Sequence, residues 1–286
     1  MSSGQMLLTF FTCYWTYILI ICCNSTIVCL IWIHRNLHEP MYIFIAALLL
    51  NSVLFSTNIY PKLLIDFLSE KHIISYSICL FQAFIYYSVA GSEFLLLAAM
   101  SYDRYVSICK PLQYQTIIRK TMVSVFLVLA WILPVCEIGI KLCRFTLTGF
   151  FCNTSAYTLQ CVRSLTLSLF GVFMLLNIAF LPLLFILFTY TRILIISYRS
   201  SKTVRRKAAQ TCLPHLLVLI NFSCFVTYDV FIVRLESDFP KTARLIMTLQ
   251  MILYHPLLNP IIYGLKMKEI SKHIKSLLLL FQVKLH

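Results

Sequence analysis

The chain has 286 residues, of which 60% are hydrophobic and only 12% are charged, and its mean hydropathy is +0.86. A soluble globular domain averages about 45–50% apolar and about 25% charged residues, so this composition excludes that class. The formal net charge of +14 comes from residues between long apolar runs. This pattern indicates a membrane protein with basic connections rather than a nucleic-acid-binding domain.

Seven apolar runs follow one another along the chain, each about as long as the roughly 20 residues that a helix needs to cross a bilayer. They lack the alternation of barrel strands, and backbone groups in lipid must be paired within the segment, so each run predicts a transmembrane helix. The first run is too long for the core of a signal peptide. The predicted helices cover residues 7–33, 41–66, 77–100 (extending to 107), 122–140, 165–196, 208–233 and 243–263. Residues 1–286 are therefore predicted to form one all-α membrane domain, a seven-transmembrane helix bundle.

A basic amphipathic segment follows the seventh run, at about residues 266–281. Apolar residues recur there at helical spacing and lysines lie between them, which is typical of a helix on a membrane surface. The apolar positions are Met267, Ile270, Ile274, Leu277, Leu278 and Phe281, and the lysines are Lys268, Lys272 and Lys275. The sequence therefore predicts an amphipathic helix 8 that contacts the lipid bilayer.

The distribution of basic residues predicts the orientation of the chain in the membrane. Sixteen of the 24 Lys and Arg residues belong to the connections after the first, third and fifth runs and to the C-terminal tail, with the adjoining helix ends. Because cytoplasmic connections carry the excess of Lys and Arg, the N-terminus is predicted to be outside and the C-terminus cytoplasmic. The run KTVRRK (Lys202 to Lys207) is explained by a basic loop that faces anionic lipid, so we expect no nucleic-acid partner.

Four of the twelve cysteines lie on the side predicted to be outside, where disulfides form. They are Cys79, Cys143, Cys152 and Cys161, which allow three pairings. No spacing of Cys and His residues in the sequence suggests a zinc site. The same outer connection holds Asn153–Thr154–Ser155, an acceptor sequence for N-glycosylation, so Asn153 is a predicted glycosylation site.

Polar and charged residues inside the third run share one helical face. At about 100° per residue, the steps from Tyr86 to Glu93 and from Glu93 to Arg104 each return to within about 20° of the same direction. Ala90 and Leu97 lie on the same stripe. Because ionisable groups that face lipid are costly, the stripe is predicted to face the interior of the bundle. Glu93 is equally compatible with a functional role and with a structural one.

Five ordered motifs closely resemble those of odorant receptors, a branch of the rhodopsin-like G protein-coupled receptors. They are MSYDRYVSICKPLQY (Met100–Tyr114), LHEPMYIFIAALLLNS (Leu37–Ser52), FTYTRIL (Phe188–Leu194), RRKAAQTCLPHL (Arg205–Leu216) and PLLNPIIYG (Pro256–Gly264). The segments TCLPHLLVLINFS and YPKLL look more like fish odorant receptors than mammalian ones. The resemblance covers nearly the whole chain. It implies a receptor that binds a small-molecule odorant, needs no cofactor and is not an enzyme.

The resemblance also implies how such a receptor signals. Arg104 is similar to the switch arginine of the family, which Asp103 holds at rest within the motif Asp103–Arg104–Tyr105. Activation in the family swings the sixth helix outward and frees this arginine to help receive a heterotrimeric G protein. Tyr190 and Tyr263 resemble its partners in the active state.

Further expectations follow from the same resemblance. Pro260 gives the seventh helix a local break, and Asn259 can satisfy the freed backbone groups. The implied G protein is of the stimulatory, olfactory type that raises cyclic AMP at the plasma membrane. The implied disulfides are Cys79–Cys152 and Cys143–Cys161.

An odorant pocket is expected between the helices, in the outer half of the bundle. Each candidate residue is as compatible with plain helix packing as with ligand contact. The candidates are Tyr86, Tyr87, Ala90, Gly91, Met174, Ile178, Val226, Val230, Leu249 and Ile252. An aminergic receptor would need an acid near Tyr86 and an opsin would need a lysine in the seventh run, and the sequence has neither. We therefore expect a mostly apolar pocket with tyrosine hydroxyls.

Two features depart from the family pattern. Ser52 stands where the family usually has an Asp, the acid that together with Glu93 would suit a sodium ion, so we expect poor sodium binding. Only about six residues precede the first run, where the family has a longer outer tail with a glycosylation sequence. A non-functional receptor copy with a shortened N-terminus is therefore an alternative.

Two other classes of membrane protein compete with a receptor. A transporter could use the buried Glu93 and Asp229, but it would show paired or repeated broken helices, which the sequence lacks. A membrane enzyme would need a catalytic group of residues within the bundle. His215 and His255 have no paired acid or nucleophile at a useful sequence spacing, so they are predicted to be helix-packing residues.

Overall fold

The structure is a computed structural model that describes residues 3–69, 75–145, 169, 172–200, 202–234 and 241–285. Along several helix stretches, among them 140–145, 225–234 and 241–253, it describes the backbone alone. Every regular element within these described ranges is helical, and they contain no strand. The predicted all-α membrane fold is confirmed.

Seven long helices and a terminal eighth helix follow one another along the chain. They are α1 (Ser3–Ile33), α2 (Pro40–Leu68), α3 (Tyr76–Cys109), α4 (Lys120–Phe145), α5 (Leu181–Tyr198), α6 (Lys202–Arg234), α7 (Lys241–Lys266) and α8 (Lys268–Leu285). Among the described residues, five spans are long and apolar enough to cross a bilayer. Four lie in α1 to α4, and the fifth, Val172–Tyr198, joins α5 to the helical residues directly before it, which we count with α5 below. Helix α6 has a shorter apolar part, Cys212–Cys224. With 33 and 26 residues, α6 and α7 exceed the roughly 20 residues that a crossing needs.

Prolines explain details of two helices. Pro40 begins α2, where its missing N–H needs no partner, and Glu39 before it is extended. Pro182 lies in the first turn of α5, directly after the π-helical turn Leu176–Phe180. A proline ring crowds the carbonyl group four residues earlier, here that of Ile178, and a wider π turn relieves this contact.

Helix α3 runs through the middle of the bundle. It contacts α2, α4, α5 and α6, whereas α1 packs on α2, α7 and α8. Bulky side chains from α2, α3 and α7 are fully buried in the core, namely Phe44, Leu48, Leu96, Met100 and Tyr263. Since α3 touches most of its neighbours, its inward stripe lies where several helices can supply partners.

The two ends of the bundle are joined by different contacts. We call the end at which α1, α3 and α5 finish the basic end. There His34 stacks on His273 of α8 with ring centroids 3.9 Å apart, and Nδ2 of Asn36 lies 3.2 Å from Nε2 of His273. Towards the opposite end, Asn58 of α2 and Gln82 of α3 donate their side-chain amides to each other's backbone carbonyls, at 3.0 and 2.9 Å.

At Gly91, α3 packs tightly against α4 and against the start of the fifth span. A Cβ atom added there would lie 2.6 Å from Cγ2 of Ile178 and 2.9 Å from Cβ of Pro134. Both distances are shorter than non-bonded carbon atoms tolerate, so only glycine allows these helices to approach so closely. Gly91 and Ile178 were both predicted to contact a ligand, and here they pack against each other.

Gly91→Ala is expected to destabilise the receptor by about 1–3 kcal/mol, because the added methyl group overpacks this contact. Thermal unfolding of the purified receptor in detergent would measure the effect. Gly139→Ala on α4 is the matched control, since the nearest atom to its added Cβ, Cε2 of Phe84, is 3.9 Å away. If both variants unfold at the same temperature, the close packing at Gly91 is not what the helices require.

Candidate functional site

Asp103, at the basic end of α3, is 1% exposed and has partners on both carboxylate oxygens. Its Oδ2 accepts hydrogen bonds from Arg104, at 2.5 Å from Nη2 and 3.1 Å from Nε. Its Oδ1 accepts a hydrogen bond of 2.7 Å from the hydroxyl of Tyr114. Because a buried ion pair is stable only when its remaining lone pairs are satisfied, Tyr114 completes the pair.

Tyr114 belongs to the short helical turn Tyr114–Ile117, which follows α3. Burial raises the pKa of Tyr114, and the negative charge of Asp103 raises it further, so the hydroxyl stays protonated and donates. The sequence motif included Tyr114, but nothing in its spacing assigned it to Asp103.

The two tyrosines predicted as active-state partners of Arg104 are buried, but the described contacts of their hydroxyls do not include Arg104. Tyr190 of α5 is 5% exposed, and its hydroxyl has no hydrogen-bond partner among the residues that the structure describes. The hydroxyl of Tyr263 lies 3.5 Å from Nδ1 of His215 on α6. Arg104 is paired with Asp103, which is the arrangement predicted for the resting state.

Glu93 is 2% exposed within α3, and its partners come from α2 and α7. Asn51 donates to Oε2 of Glu93 and to the carbonyl oxygen of Val89, both at 3.0 Å. Asn259 donates to Oε1 at 3.3 Å, and Nε2 of His255 lies 2.9 Å from the same oxygen. The His255 ring is not aligned for a hydrogen bond, so this is a short polar contact. The spacing of residues in the sequence did not indicate that His255 would meet an acid.

Ser52 completes a group that we call the Glu93 cluster: Asn51, Ser52, Glu93, His255 and Asn259. Its hydroxyl accepts a hydrogen bond of 2.9 Å from Asn259 and donates one of 3.2 Å to the carbonyl oxygen of Leu48. All five side chains are buried. The cluster therefore joins α2, α3 and α7 through polar contacts inside the bundle.

The Glu93 cluster does not fit the sodium ion that the family pattern suggests. A hard cation needs several oxygen ligands, but both carboxylate oxygens of Glu93 face nitrogen atoms of Asn51, Asn259 and His255. Ser52 is already engaged by Asn259. Across the part of the chain that the structure describes, no group of three His, Cys, Asp or Glu residues could hold a metal ion.

Aromatic rings from two further elements surround His255. Phe222 of α6 has its ring centroid 4.8 Å from that of His255, and it also lies 4.7 Å from Phe94 of α3. Phe55 of α2 meets His255 edge-on at 6.4 Å and lies 5.3 Å from Tyr86. The ring of Phe55 therefore links Tyr86 to the Glu93 cluster, and Phe222 links α6 to it.

The predicted ligand residues are described in part. The rings of Tyr86 and Tyr87 meet edge-on at 5.0 Å, and Met174 of α5 is buried. Ala90, between the tyrosines and Glu93, is partly buried. The side chains of Val226, Val230, Leu249 and Ile252, and that of Asp229 in the transporter alternative, lie outside the described residues.

The break in α7 is satisfied by a residue that sequence reasoning missed. Pro260 has no N–H to donate to the carbonyl group of Pro256, four residues earlier. Asn24 of α1 donates its side-chain amide to that carbonyl oxygen at 3.1 Å, and to the carbonyl oxygen of Ile20 at 2.8 Å. The expected role of Asn259 in satisfying freed backbone groups is therefore corrected, since its amide bonds within the Glu93 cluster.

One of the four cysteines predicted to form disulfides is oxidised in the structure. Cys79, in the first turn of α3, is disulfide-bonded. Free thiols are carried by Cys13, Cys22, Cys23, Cys29, Cys109, Cys136 and Cys224. The side chains of Cys143, Cys152, Cys161 and Asn153 lie outside the described residues, so both predicted pairings and the glycosylation site stay predictions.

A bundle of seven membrane-crossing helices, with an Asp–Arg pair buried at one end of the third, defines the class of G protein-coupled receptors. Comparison with known proteins gives the family within it. A family model described as olfactory receptor matches residues 13–280. The chain belongs to the olfactory receptor family, and it is a multi-pass membrane receptor rather than an enzyme.

Individual relatives agree with this assignment. The chain is 33% identical to human olfactory receptor 2A5 over 279 residues, which cover 92% of this chain and 88% of that protein. It is also 33% identical to human olfactory receptor 11G2 over 289 residues, 96% of this chain and 82% of the relative. Human olfactory receptor 2A12 matches 89% of this chain, and 85% of the relative, at 33% identity. The fish-type subdivision stays a prediction.

Asn24→Ala is expected to destabilise the receptor by about 1–3 kcal/mol, because it leaves the carbonyl group of Pro256 buried without a donor. Thermal unfolding in detergent would measure the loss. Asn177→Ala on α5 is the matched control, since Asn177 donates only to the carbonyl oxygen of Phe173 in its own helical turn, at 2.9 Å. An Asn24→Ala receptor as stable as this control would contradict the role of Asn24 at the α7 break.

Proposed function

We propose that this receptor binds an odorant in the half of the bundle opposite the basic end and activates a stimulatory, olfactory-type G protein at the basic end. The N-terminus would be outside the plasma membrane and the basic end would face the cytoplasm, as the excess of Lys and Arg in its connections favours. The outer loop would carry the disulfides Cys79–Cys152 and Cys143–Cys161 and a glycan on Asn153.

The proposed ligand is a small, mostly apolar molecule with one hydrogen-bonding group. Apolar side chains dominate the candidate positions, and the hydroxyls of Tyr86 and Tyr87 are the polar groups that would orient it. The ligand residues proposed are Tyr86, Tyr87, Ala90, Met174, Ile178, Val226, Val230, Leu249 and Ile252, with Gly91 setting the spacing of the helices behind them.

The signal would pass from this pocket through the Glu93 cluster to α6. Phe55 contacts both Tyr86 and His255, so a ligand that displaces the Tyr86 ring changes the packing of His255. Phe222 of α6 packs on His255, so the same change alters the position that α6 prefers. Coupling of this kind needs an element that can pack in two arrangements. We propose that this element is α6, which Phe222 connects to His255.

At the basic end, movement of α6 would separate His215 from Tyr263 and free the Tyr263 hydroxyl. Arg104 would then leave Asp103 and take Tyr190 and Tyr263 as partners, with the break at Asn259–Pro260 allowing α7 to adjust. Tyr105, next to Arg104 in the chain, would contact the G protein. The observation that carries this proposal is the buried Asp103–Arg104 pair, a charged contact that a conformational change can exchange.

Arg104→Ala is expected to abolish the cyclic AMP response to odorants, because the switch loses the group that changes partners. The measurement uses cells that express an olfactory-type G protein, an odorant panel and an N-terminal epitope counted on intact cells. Arg119→Ala is the control, since Arg119 is an exposed arginine at the same end. Equal responses from Arg104→Ala and the intact receptor, at equal surface counts, would refute the mechanism.

Glu93→Gln and His255→Asn are expected to be coupled. Changing one partner of a buried polar contact leaves the other unsatisfied and costs about 1–3 kcal/mol, whereas changing both leaves no such group behind. Thermal unfolding should therefore show that the double variant loses less stability than the two single variants lose in sum. The wild-type receptor should also be equally stable in sodium chloride and in choline chloride, because the Glu93 cluster does not fit a sodium ion. Additive losses would mean that the two side chains do not act as a pair.

A further inference from the structure

A cavity of about 760 Å³ opens between α5 and α6 at the basic end, away from the Glu93 cluster. Its walls are mostly apolar, with Ile193 and Leu194 from α5 and Leu213 and Leu216 from α6. Leu194 and Leu213 are exposed at the bundle surface, 66% and 47% respectively, so the cavity opens towards the surroundings of the bundle. Apart from Tyr190, its lining residues are not among those proposed for odorant binding or for the G protein switch.

Two residues that line this cavity, Tyr190 and Ser197, carry hydroxyl groups that are covered by neighbouring atoms. Tyr190 is 5% exposed and Ser197 is 4% exposed, and neither Oη of Tyr190 nor Oγ of Ser197 has a partner within the described part of the chain. Buried hydroxyls are ordinarily paired with protein or with a bound molecule. The cavity is therefore an apolar space, and two of its lining residues carry hydroxyls that still need acceptors.

Positive charge surrounds the mouth of the cavity. Arg199 lines it directly, and its lining residues include no acid. Lys202 and Arg206 are exposed on the first turns of α6, and they precede the lining residue Ala209 at spacings of seven and three residues. These spacings place all three on one side of the helix. The cavity thus combines apolar walls, unpaired hydroxyls and a cationic rim.

We propose that this cavity binds an anionic phospholipid of the membrane leaflet next to the basic end. An acyl chain fits the apolar walls, and the anionic headgroup meets Arg199 and the basic first turns of α6. The glycerol ester oxygens would become acceptors for the hydroxyls of Tyr190 and Ser197 when these side chains turn towards the cavity. Basic residues beside a membrane attract anionic lipid by about 1 kcal/mol each, or roughly fivefold in affinity. The leaflet is the cytoplasmic one if the proposed orientation holds.

The test uses purified full-length receptor in nanodiscs of phosphatidylcholine and phosphatidylserine, with a photoactivatable group on the acyl chain of one lipid or the other. Labelled residues are mapped by mass spectrometry. The phosphatidylserine probe should label residues 193–216 more than the phosphatidylcholine probe does, relative to the labelling of α1. Neither odorant nor signalling enters this measurement, so its outcome is separate from that of the proposed function.

Two variants and two controls make the result specific. Ala209→Trp fills the cavity from an exposed position and should remove the preferential label, whereas Val125→Trp on the exposed face of α4 should not. Arg199→Gln should lower the preference about fivefold. Arg119→Gln removes the same charge elsewhere at the basic end and should leave it unchanged. Each variant's thermal unfolding reports whether it is folded.

Three outcomes would overturn the proposal. Equal labelling by both probes in the wild-type receptor would mean that the cavity has no preference for anionic lipid. Labelling that survives Ala209→Trp would come from the general lipid shell. Protection of residues 193–216 by added G protein, without any preference between the lipid probes, would assign the cavity to a protein partner.

Discussion

The carboxyl group of Glu93 lies buried in the bundle, where lipid and packed side chains offer it no solvent. Its position therefore depends on polar groups from other helices: Asn51 of α2 and Asn259 of α7 donate hydrogen bonds to it, and His255 of α7 lies in short contact with it. These contacts fix the rotation of α2 and α7 about their axes relative to α3, because a small rotation would carry the donors out of reach. The same requirement explains the close contact of α1 with α7, where Asn24 satisfies the carbonyl group that Pro260 leaves open.

With Ser52 in the place where the family usually has an acid, the polar site around Glu93 is still present but its chemistry differs. An acid at that position would place a second negative charge beside Glu93, and a bound cation could then neutralise both. Here Ser52 is a neutral hydrogen-bonding group for Asn259, and the ring of His255 lies against Glu93. The groups that contact Glu93 thus belong to the chain, and Phe55 and Phe222 pack on one of them, His255, so its position depends on neighbouring helices.

The sequence predicted what depends on local patterns and left out what depends on helix rotation. Apolar runs predicted the transmembrane helices, and the period of α3 predicted an inward stripe from Tyr86 to Arg104. The contact of His255 with Glu93 joins residues far apart in the chain, and that of Asn24 with Pro256 spans 232 positions. Neither contact follows from the helical period. The period tells which residues share one face of a helix, but it does not tell which face of a neighbouring helix lies opposite. The available signal for such a contact was a polar residue inside an apolar run, and Asn24 is such a residue.

Among the side chains that the structure describes, hydrogen bonds are distributed unevenly around α3, and this supports the proposal that α6 is the element that moves. The helices α1, α2, α3 and α7 are joined by amide and carboxylate contacts of 2.9–3.3 Å. On α6, His215 approaches Tyr263 at only 3.5 Å, and its Nε2 has no partner in the described part of the chain. Among the same described residues, the hydroxyl of Tyr190 on α5 has no partner either. The proposed displacement of α6 would therefore break few of the described polar contacts, and it would bring unpaired groups to new partners while the polar contacts around Glu93 keep the rest of the bundle in place.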